Sequence, residues 1–429
     1  MTRILAGLVT CVAVLLAGAC GGGDYSLGSS APAPTDVVVA AGDSSATVTW
    51  TMAPGVDYWV MFAPTDSITT ANWTSFLGAR SVIKAVSPQL IGGLVNGATY
   101  AFTVNGRVGN GPGGPGSASQ AIVPRIAGAI WVPGSPLSSG DLLGAGLATA
   151  VTTVDNFSTV TYNFFAVGAG GKIFSGSDGK TWAAQNSTVS ADLRSAVFGG
   201  IYVAAGANGT IVESADATTW STRASGTSST LNGLATNGAG TYVAVGAGGS
   251  ITTTTDGGAT WKLASSGTTQ DLFAITYGSS GGINVFVAVG AQGTMLISAD
   301  GLAWSAGNIA AANGADLKGI AFTPTTFLSG LLTSLPTWIA VGSGGTIISS
   351  NDASTWTLRA SGSSNTLNAV NYNTRFVAVG DAGTVVTSDD DGLSWQAQAS
   401  KTSANLTAIT HNPYGYVVVG AAGTNLTAF

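Results

Sequence analysis

Few residues in this 429-residue sequence could carry out catalysis. Glu213 is the single glutamate and His411 the single histidine. Glycoside hydrolysis requires two carboxyl groups in complementary roles, and a serine hydrolase requires a histidine that accepts the proton of its nucleophile. Glu213 lies in a short strand-like segment, and His411 precedes Asn412-Pro413 with no nucleophile-elbow glycines nearby. We therefore predict no catalytic residues.

Metal and cofactor sites are equally scarce. The two cysteines, Cys11 and Cys20, both lie near the N-terminus, and a single histidine cannot build an ordinary zinc site. The run from Asp389 to Asp391, with Asp381, could hold a loose calcium ion through oxygen ligands, but Asp390 belongs to a repeated turn described below. Recurrent Gly-x-x-Gly segments could cradle phosphate, but no helix follows them, and their glycines supply the positive φ of hairpin turns. We predict no metal and no cofactor.

The elements that would position any site come from a repeat. Val-Gly-x-x-Gly, or a close variant, occurs seven times, with its first glycine at Gly168, Gly206, Gly246, Gly290, Gly342, Gly380 and Gly420. A tryptophan follows each of the first six copies after 14 or 15 residues. Each repeat alternates apolar and polar residues in four short runs, which predicts a four-stranded antiparallel meander. Such a period is typical of stacked small sheets.

These repeats predict an all-β chain in which residues 126–429 form a seven-bladed β-propeller. The last repeat lacks its tryptophan strand, whereas residues 129–133, just before the first repeat, supply a spare strand with Trp131. Pairing of this strand with the last repeat would close the ring without an exposed apolar edge. We also expect the Gly-x-x-Gly turns and inter-repeat loops to share one face, and the tryptophan-bearing turns to share the other.

The turn before each tryptophan resembles the Asp box of bacterial-neuraminidase-type (BNR) repeats. Thr254-x-Asp256-x-Gly258-x-Thr260-Trp261 and Ser388-x-Asp390-x-Gly392-x-Ser394-Trp395 match that pattern in full. An aspartate at such a position can accept backbone N–H groups of the hairpin that it begins. The resemblance implies a structural role, away from the ligand face, for six pairs of residues: Asp178 and Trp182, Asp216 and Trp220, Asp256 and Trp261, Asp300 and Trp304, Asp352 and Trp356, Asp390 and Trp395.

Two functions are implied by this resemblance. Asp-box propellers include sialidases, which use a tyrosine supported by a glutamate and several arginines that bind the substrate carboxylate. Here the repeats hold four dispersed arginines and no Arg-Ile-Pro string precedes them: Arg194, Arg223, Arg359 and Arg375. Similar propellers occur in photosystem II assembly factors, which bind a nascent membrane subunit through an arginine patch. The sequence favours binding over sialidase-like hydrolysis, which stays as an alternative.

The N-terminus predicts export and anchoring. Residues 1–20 form a signal peptide with Arg3 before an apolar run, and their end (Leu-Ala-Gly-Ala-Cys) resembles a bacterial lipobox with Cys20 as the lipidated residue. The alternatives are a plain signal peptide cut near Ala19 or a short membrane anchor. Residues 21–35, rich in Gly, Ser, Ala and Pro, are expected to be a flexible tether.

A second domain is predicted over residues 36–125. Short alternating runs separated by turn residues indicate a β-sandwich of about seven strands. It resembles a fibronectin type III domain in three features: Trp50 at the end of the second strand, the Tyr58-Trp59 strand, and a corner in which Tyr100 would occupy the position of that family's corner tyrosine. We expect it to act as a spacer.

An apolar insertion at residues 323–338 interrupts one repeat. It could pack on the sandwich, form a short helix over the ring, or dock a partner as an exposed apolar patch would. The candidate docking residues are Phe327, Leu328, Leu331 and Leu332.

The charge balance excludes one class of partner. The net charge is −6 and only 8% of residues are charged, without a basic cluster of the kind that binds nucleic acid. We therefore expect a monomeric, lipid-anchored bacterial envelope protein, mature from Cys20 and held at the outer membrane or cell surface. Its function would be non-catalytic binding of an envelope protein or glycan. The alternatives are an assembly chaperone of a membrane complex and a glycoside hydrolase.

Overall fold

The computed structural model describes residues 28–154, 157–280, 282–307, 310–324, 326–328 and 331–429. The predicted signal peptide and Cys20 lie outside these ranges. Contacts divide the chain into two compact units. The smaller holds the chain up to Val38 with Thr49–Gln89 and Tyr100–Ala121, and the larger holds Val39–Val48, Leu90–Thr99 and Ile122–Phe429.

The smaller unit is built on a five-stranded sheet. Its strands run in the order Ser29–Ser30, Tyr100–Val108, Val56–Ala63 and Arg80–Ala85, and Gln120–Ile122 also pairs with Tyr100–Val108. A loop with the 3₁₀ turn Trp73–Ser75 packs its aromatic rings on Met61 and Ala63. Ser29 and Ser30, which we expected in the tether, pair with Val108 and Arg107. Two serines are too short a run for alternation to indicate a strand.

In the larger unit, the described residues form seven four-stranded antiparallel sheets, numbered here along the chain. Sheet 1 comprises Leu142–Val154, Phe157–Gly168, Ile173–Gly176 and Ala183–Gln185; sheet 2, Leu193–Phe198, Tyr202–Gly206, Ile211–Ser214 and Ser221–Arg223; sheet 3, Leu231–Thr236, Tyr242–Gly246, Ile251–Thr254 and Lys262–Ala264. Sheet 4 comprises Leu272–Ser280, Ile283–Gly290, Met295–Ser298 and Ser305–Ala306; sheet 5, Leu317–Thr323, Thr337–Gly342, Ile347–Ser350 and Thr357–Arg359; sheet 6, Leu367–Tyr372, Phe376–Gly380, Val385–Ser388 and Gln396–Gln398. Sheet 7 comprises Leu406–Asn412, Gly415–Gly420, Asn425–Ala428 and Val132–Pro133. We call the first strand of each sheet its inner strand and the fourth its outer strand.

The outer strand of sheet 7 comes from the segment that precedes sheet 1. Val132 pairs with Thr427 and Pro133 with Leu426, so the pairing expected from the sequence is present. The Trp131 side chain is fully buried beside Tyr416, with ring centroids 6.4 Å apart. It belongs to the apolar cluster between sheets 6 and 7. The Asp-box tryptophans of sheets 2 to 6 likewise lie in clusters shared with the preceding sheet.

The core lies between consecutive sheets, and the succession of clusters returns to its beginning. A cluster shared by sheets 7 and 1 contains Val419, Leu142, Ala166 and Phe174. The Thr407 hydroxyl of sheet 7 donates to the Leu142 carbonyl of sheet 1 at 2.6 Å. Apolar packing between alternating strands therefore holds each sheet to its two neighbours.

Both glycines of the Val-Gly-x-x-Gly repeat are required by close contacts. In sheet 2, a Cβ on Gly206 would lie 1.9 Å from the Asp192 carbonyl oxygen, and a Cβ on Gly209 would lie 1.9 Å from that of Thr227. Asn208 and Gly209 have φ of 56° and 67°, as a two-residue type I′ hairpin turn requires. The interpretation of these segments as turns, rather than phosphate cradles, is confirmed.

Two segments depart from the simple repeat. The inner hairpin of sheet 1 pairs continuously from Gly144 and Val167 to Val154 and Phe157, well beyond the hairpins of sheets 2 and 3. Within the insertion of sheet 5, Thr326–Leu328 pairs with Leu331–Ser334, so this segment is a β-hairpin and not the short helix considered above. The larger unit also contains a three-stranded sheet of Val38–Gly42, Ser45–Thr49 and Gln89–Gly92. In the described part of the chain, no helix has the length and apolar character needed to span a bilayer.

Candidate functional site

The six Asp-box aspartates use their carboxylates within their own turns. Asp216 accepts the backbone N–H groups of Thr218 and Thr219 at 2.8 and 2.7 Å, and these bonds hold the pKa of Asp216 well below its usual range. Hydrogen bonds from the Thr254 and Thr260 hydroxyls lower the pKa of Asp256 to about 2. The other four make equivalent bonds to backbone N–H groups two to four residues further on: Asp178, Asp300, Asp352 and Asp390.

The Asp-box tryptophans follow one pattern with a single exception. In five boxes the indole N–H donates to a backbone carbonyl of the same turn: Trp182, Trp220, Trp304, Trp356 and Trp395. In sheet 3, Trp261 Nε1 instead donates to Glu213 Oε1 of sheet 2 at 3.1 Å. The sequence could not indicate this exchange, because it depends on which side chains meet between two sheets.

Glu213, the single glutamate, is thus a link between sheets 2 and 3. It is 5% exposed, and its Oε2 accepts from Arg223 Nε at 2.9 Å. Burial raises the pKa of Glu213 against the lowering effects of the Trp261 N–H and the Arg223 charge. The carboxylate lies on the third strand of sheet 2 between two packed sheets, where no substrate could reach it.

Glu213 gives a pH-dependent prediction. Because its pKa is raised in the folded state, the folded chain holds the proton more tightly than the unfolded chain. Stability therefore falls as pH rises above the ordinary value of 4.5. We expect Glu213→Gln, which keeps an acceptor for Trp261, to gain stability relative to wild type as pH rises from 4 to 7 in urea unfolding.

The control for this prediction is Glu213→Ala. This variant removes the acceptor of Trp261 Nε1, so it should be less stable than wild type by about 1–3 kcal/mol across the same pH range. A Glu213→Gln difference that stays constant from pH 4 to pH 7 would contradict the assigned titration.

The other candidate chemical groups are also engaged in structure. Burial lowers the pKa of His411 to about 4, so its ring is neutral at pH 7, and Nδ1 lies 3.0 Å from Asn371 Oδ1. Asp389 accepts from Arg375 at 2.5 Å. Among the described residues, no group of three or more His, Cys, Asp or Glu side chains could hold a metal ion.

The candidate docking residues Phe327, Leu328, Leu331 and Leu332 lie in the hairpin inserted in sheet 5. Only the backbone of this hairpin is described, so the proposed docking role of their side chains lies outside the described structure.

One end of the seven sheets gathers the Gly-x-x-Gly turns and the inter-sheet loops; we call it the turn face. Antiparallel pairing places the start of each inner strand opposite the first glycine of its turn, as Leu193 opposite Gly206. The loop hydroxyls there are engaged locally. Ser225 Oγ donates to the Thr227 carbonyl and accepts the Thr227 N–H, and four further loops repeat this arrangement at Ser187, Ser266, Ser361 and Ser400.

The sequence analysis missed a set of side chains that join one sheet to the next at the turn face. Asp192, just before the inner strand of sheet 2, accepts the Gly170 N–H of the sheet 1 turn at 2.9 Å. Equivalent bonds are made by Asp271, Asp316, Asn405 and Asp141. The bond from Ala422 N–H to Asp141 joins sheet 7 to sheet 1. An Asp or Asn immediately before the first leucine of a repeat is the signal that would have revealed this set.

A bulge in every inner strand creates a second set, which we call the bulge ring. Pairing shifts by one residue after the first leucine of each sheet, and a bulge redirects the side chain of the extra residue. The seven extra residues are Leu143, Arg194, Asn232, Phe273, Lys318, Asn368 and Thr407. Three of them bond to the inner strand of the next sheet: Asn232, Asn368 and Thr407.

The bulge ring also holds the charged and aromatic groups of this end. Lys318 Nζ lies 3.5 Å from the centroid of the Phe273 ring and 3.2 Å from Asp316 Oδ2. Arg194 is exposed, and within the described residues no ion pair or hydrogen bond of its guanidinium is observed. A shallow groove of about 570 Å³ between Gly249 and the loop Ala264–Gln270 carries no charged side chain.

No protein-family model and no curated protein matches the sequence. Solved structures do match over 70% of this chain. They include YCF48 bound to D1 peptide (TM-score 0.54, 18% identity, 99% of that chain) and YCF48 from Cyanidioschyzon merolae (TM-score 0.50, 17% identity, 98% of that chain). The WD40 β-propeller domain of Doa1 matches with a TM-score of 0.51, 13% identity and 96% of that chain covered. At these identities the similarity concerns the fold alone: the chain is all-β and contains a β-propeller.

Proposed function

We propose that this protein is a non-catalytic scaffold whose seven sheets form one seven-bladed propeller and bind a protein partner at the turn face. One observation carries the proposal. The carboxylates of the Asp boxes, the single glutamate and the loop hydroxyls all bond within the fold, whereas the bulge ring presents exposed charge and partly exposed apolar groups at one end. Such an arrangement suits binding and supplies no acid, base or nucleophile.

The structural neighbours support a protein ligand. YCF48 is described as bound to a D1 peptide, so a propeller of similar fold binds a polypeptide segment. For the present chain this supports protein binding and, as a second candidate function, assistance in assembling a membrane complex. Glycan binding is less well supported because the Lys318 ammonium covers a face of the Phe273 ring, which a sugar would otherwise use for stacking.

We further propose that the chain is exported, lipidated at Cys20 and held at the bacterial cell envelope. In this proposal the N-terminal strands form a fibronectin type III-like spacer. The composition of residues 1–20 supports the anchor. Incorporation of labelled palmitate into wild type but not into Cys20→Ala would test it.

Site-specific photocrosslinking tests the partner proposal. A benzophenone amino acid at Phe273 on the turn face should capture one predominant envelope protein in native cells, identified by mass spectrometry. The matched control is the same photoreactive residue at Leu358, which is 57% exposed on the outer strand of sheet 5 and should capture little. Equal capture at both positions, or none at Phe273, would contradict a binding role of the turn face.

A further inference from the structure

The seven members of the bulge ring differ in whether their polar groups already have partners. Asn368 Nδ2 donates to Asp381 and to the Leu406 carbonyl, and the Thr407 hydroxyl lies within hydrogen-bond distance of two backbone carbonyls. Asn232 Nδ2 donates to the Leu272 carbonyl at 2.9 Å. These three side chains therefore join neighbouring inner strands and have little capacity left for a ligand.

Arg194 is different. Its side chain is exposed, and in the described part of the chain no carboxylate lies within ion-pair distance of its guanidinium. Asp192, two residues earlier, directs its Oδ1 to the Gly170 N–H instead. By contrast, Arg223 and Arg375 pair with acids, and Arg359 Nε donates to the Ser349 hydroxyl at 2.8 Å. Arg194 is thus a cation held at the turn face without an internal function.

The groups around the ring narrow the ligand class. Leu143 precedes Arg194 in the ring, and Asn232, Phe273 and Lys318 follow it; Leu143 and Phe273 are partly exposed. The arc from sheet 1 to sheet 5 therefore presents an apolar group, a guanidinium, an amide, an aromatic ring and an ammonium. A guanidinium binds a carboxylate through two parallel N–H bonds, and apolar groups on both sides favour apolar side chains next to that carboxylate.

We propose that Arg194 anchors a carboxylate-recognition site at the turn face that takes an acidic segment of a protein partner, with apolar side chains beside the acidic one. This inference rests on the proposed binding function and names the chemistry of its ligand. Polyanions in general are not favoured, because the chain carries a net charge of −6 and offers one unpaired guanidinium rather than a basic surface.

Fluorescence anisotropy with defined probes tests the inference. The mature full chain is titrated into three labelled hexapeptides that alternate aspartate with leucine, asparagine with leucine, or aspartate with serine. We expect the aspartate–leucine peptide to bind most tightly, with at least tenfold weaker binding of the other two. An oligogalacturonate, which carries carboxylates on sugars, is the fourth probe and should bind weakly.

Variants locate the site. Arg194→Gln should weaken binding of the aspartate–leucine peptide at least tenfold, and Arg194→Lys should fall between Arg194→Gln and wild type because it keeps the charge without the paired N–H geometry. Arg359→Gln, which makes the same charge change on the outer strand of sheet 5, should bind within about twofold of wild type. Matching thermal unfolding curves show that each variant is folded.

Three results would overturn the inference: equal affinities of Arg194→Gln and wild type, equal losses in Arg194→Gln and Arg359→Gln, or binding of the oligogalacturonate in preference to the peptides. Absence of binding by every peptide would overturn it as well. The photocrosslinking at Phe273 would still decide separately whether the turn face binds a protein, because it requires no assumption about acidic residues.

Discussion

Replacing Trp131 by alanine is expected to lower the free energy of unfolding by about 3–5 kcal/mol, the range for deletion of a fully buried tryptophan. The side chain is 0% exposed between sheets 6 and 7 and contacts the cluster of Leu406, Ile409 and Tyr416. The same change also weakens the only strand that reaches sheet 7 from the N-terminal side, Val132–Pro133. Guanidinium unfolding monitored by the remaining tryptophans would measure the loss.

Phenylalanine variants refine this expectation. Trp131 Nε1 is buried and has no hydrogen-bond partner among the described residues, because no Asp box precedes it. Trp395 Nε1 donates to the Gly392 carbonyl at 3.1 Å. Trp131→Phe should therefore cost less than Trp395→Phe by about 1 kcal/mol. Wild-type stability of Trp131→Ala would contradict the role assigned to this strand in closing sheet 7.

The second large effect is expected at Gly249, in the turn of sheet 3. Its φ is +72° and an added Cβ would lie 2.2 Å from the Thr268 carbonyl oxygen, so the turn or the following loop must move. We expect Gly249→Ala to lower the free energy of unfolding by about 3 kcal/mol or more, since backbone strain and a steric conflict combine. Urea unfolding of the variant would measure this loss.

Gly248 is the matched control for this position. It has a φ of +64°, but nothing lies within 4 Å of a Cβ built on it. Gly248→Ala should therefore carry only the cost of a left-handed alanine, about 1–2 kcal/mol. Ala382 and Ala422 already occupy the equivalent position in sheets 6 and 7 with φ of 52° and 51°, so alanine is tolerated there. Equal losses at Gly248 and Gly249 would show that the contact with Thr268 is not limiting.

Local features of this fold could be predicted from the sequence because they depend on residues close together in the chain. The type I′ turn at Asn208-Gly209 and the hydrogen bonds of Asp216 to Thr218 and Thr219 are of this kind. The pairing of Val132 with Thr427 could also be anticipated, since a tryptophan strand was missing from one repeat and present in excess before another.

Contacts between sheets could not be predicted in the same way. The bond from Trp261 to Glu213 and the bond from Gly170 N–H to Asp192 join residues of different repeats, and alternation within one repeat says nothing about which side chains meet across the gap. The candidate site was missed for the same reason: Arg194 stands out only when the other arginines are seen to have partners, and its position follows from a bulge that periodicity does not indicate.

The late partner of the Val132–Pro133 strand sets an order of events during synthesis and folding. Ser135, just after this strand, accepts a hydrogen bond from Asn425, 290 residues further along the chain. At ~5–20 residues per second a ribosome needs about 15–60 s to span that distance, so Trp131 has to wait, without its burial site, for the final strands. Any nascent or exported chain that stalls in this interval exposes an indole and an unpaired strand edge, the combination that chaperones and proteases recognise. The closing step is thus also the step at which quality control can tell a finished molecule from an unfinished one.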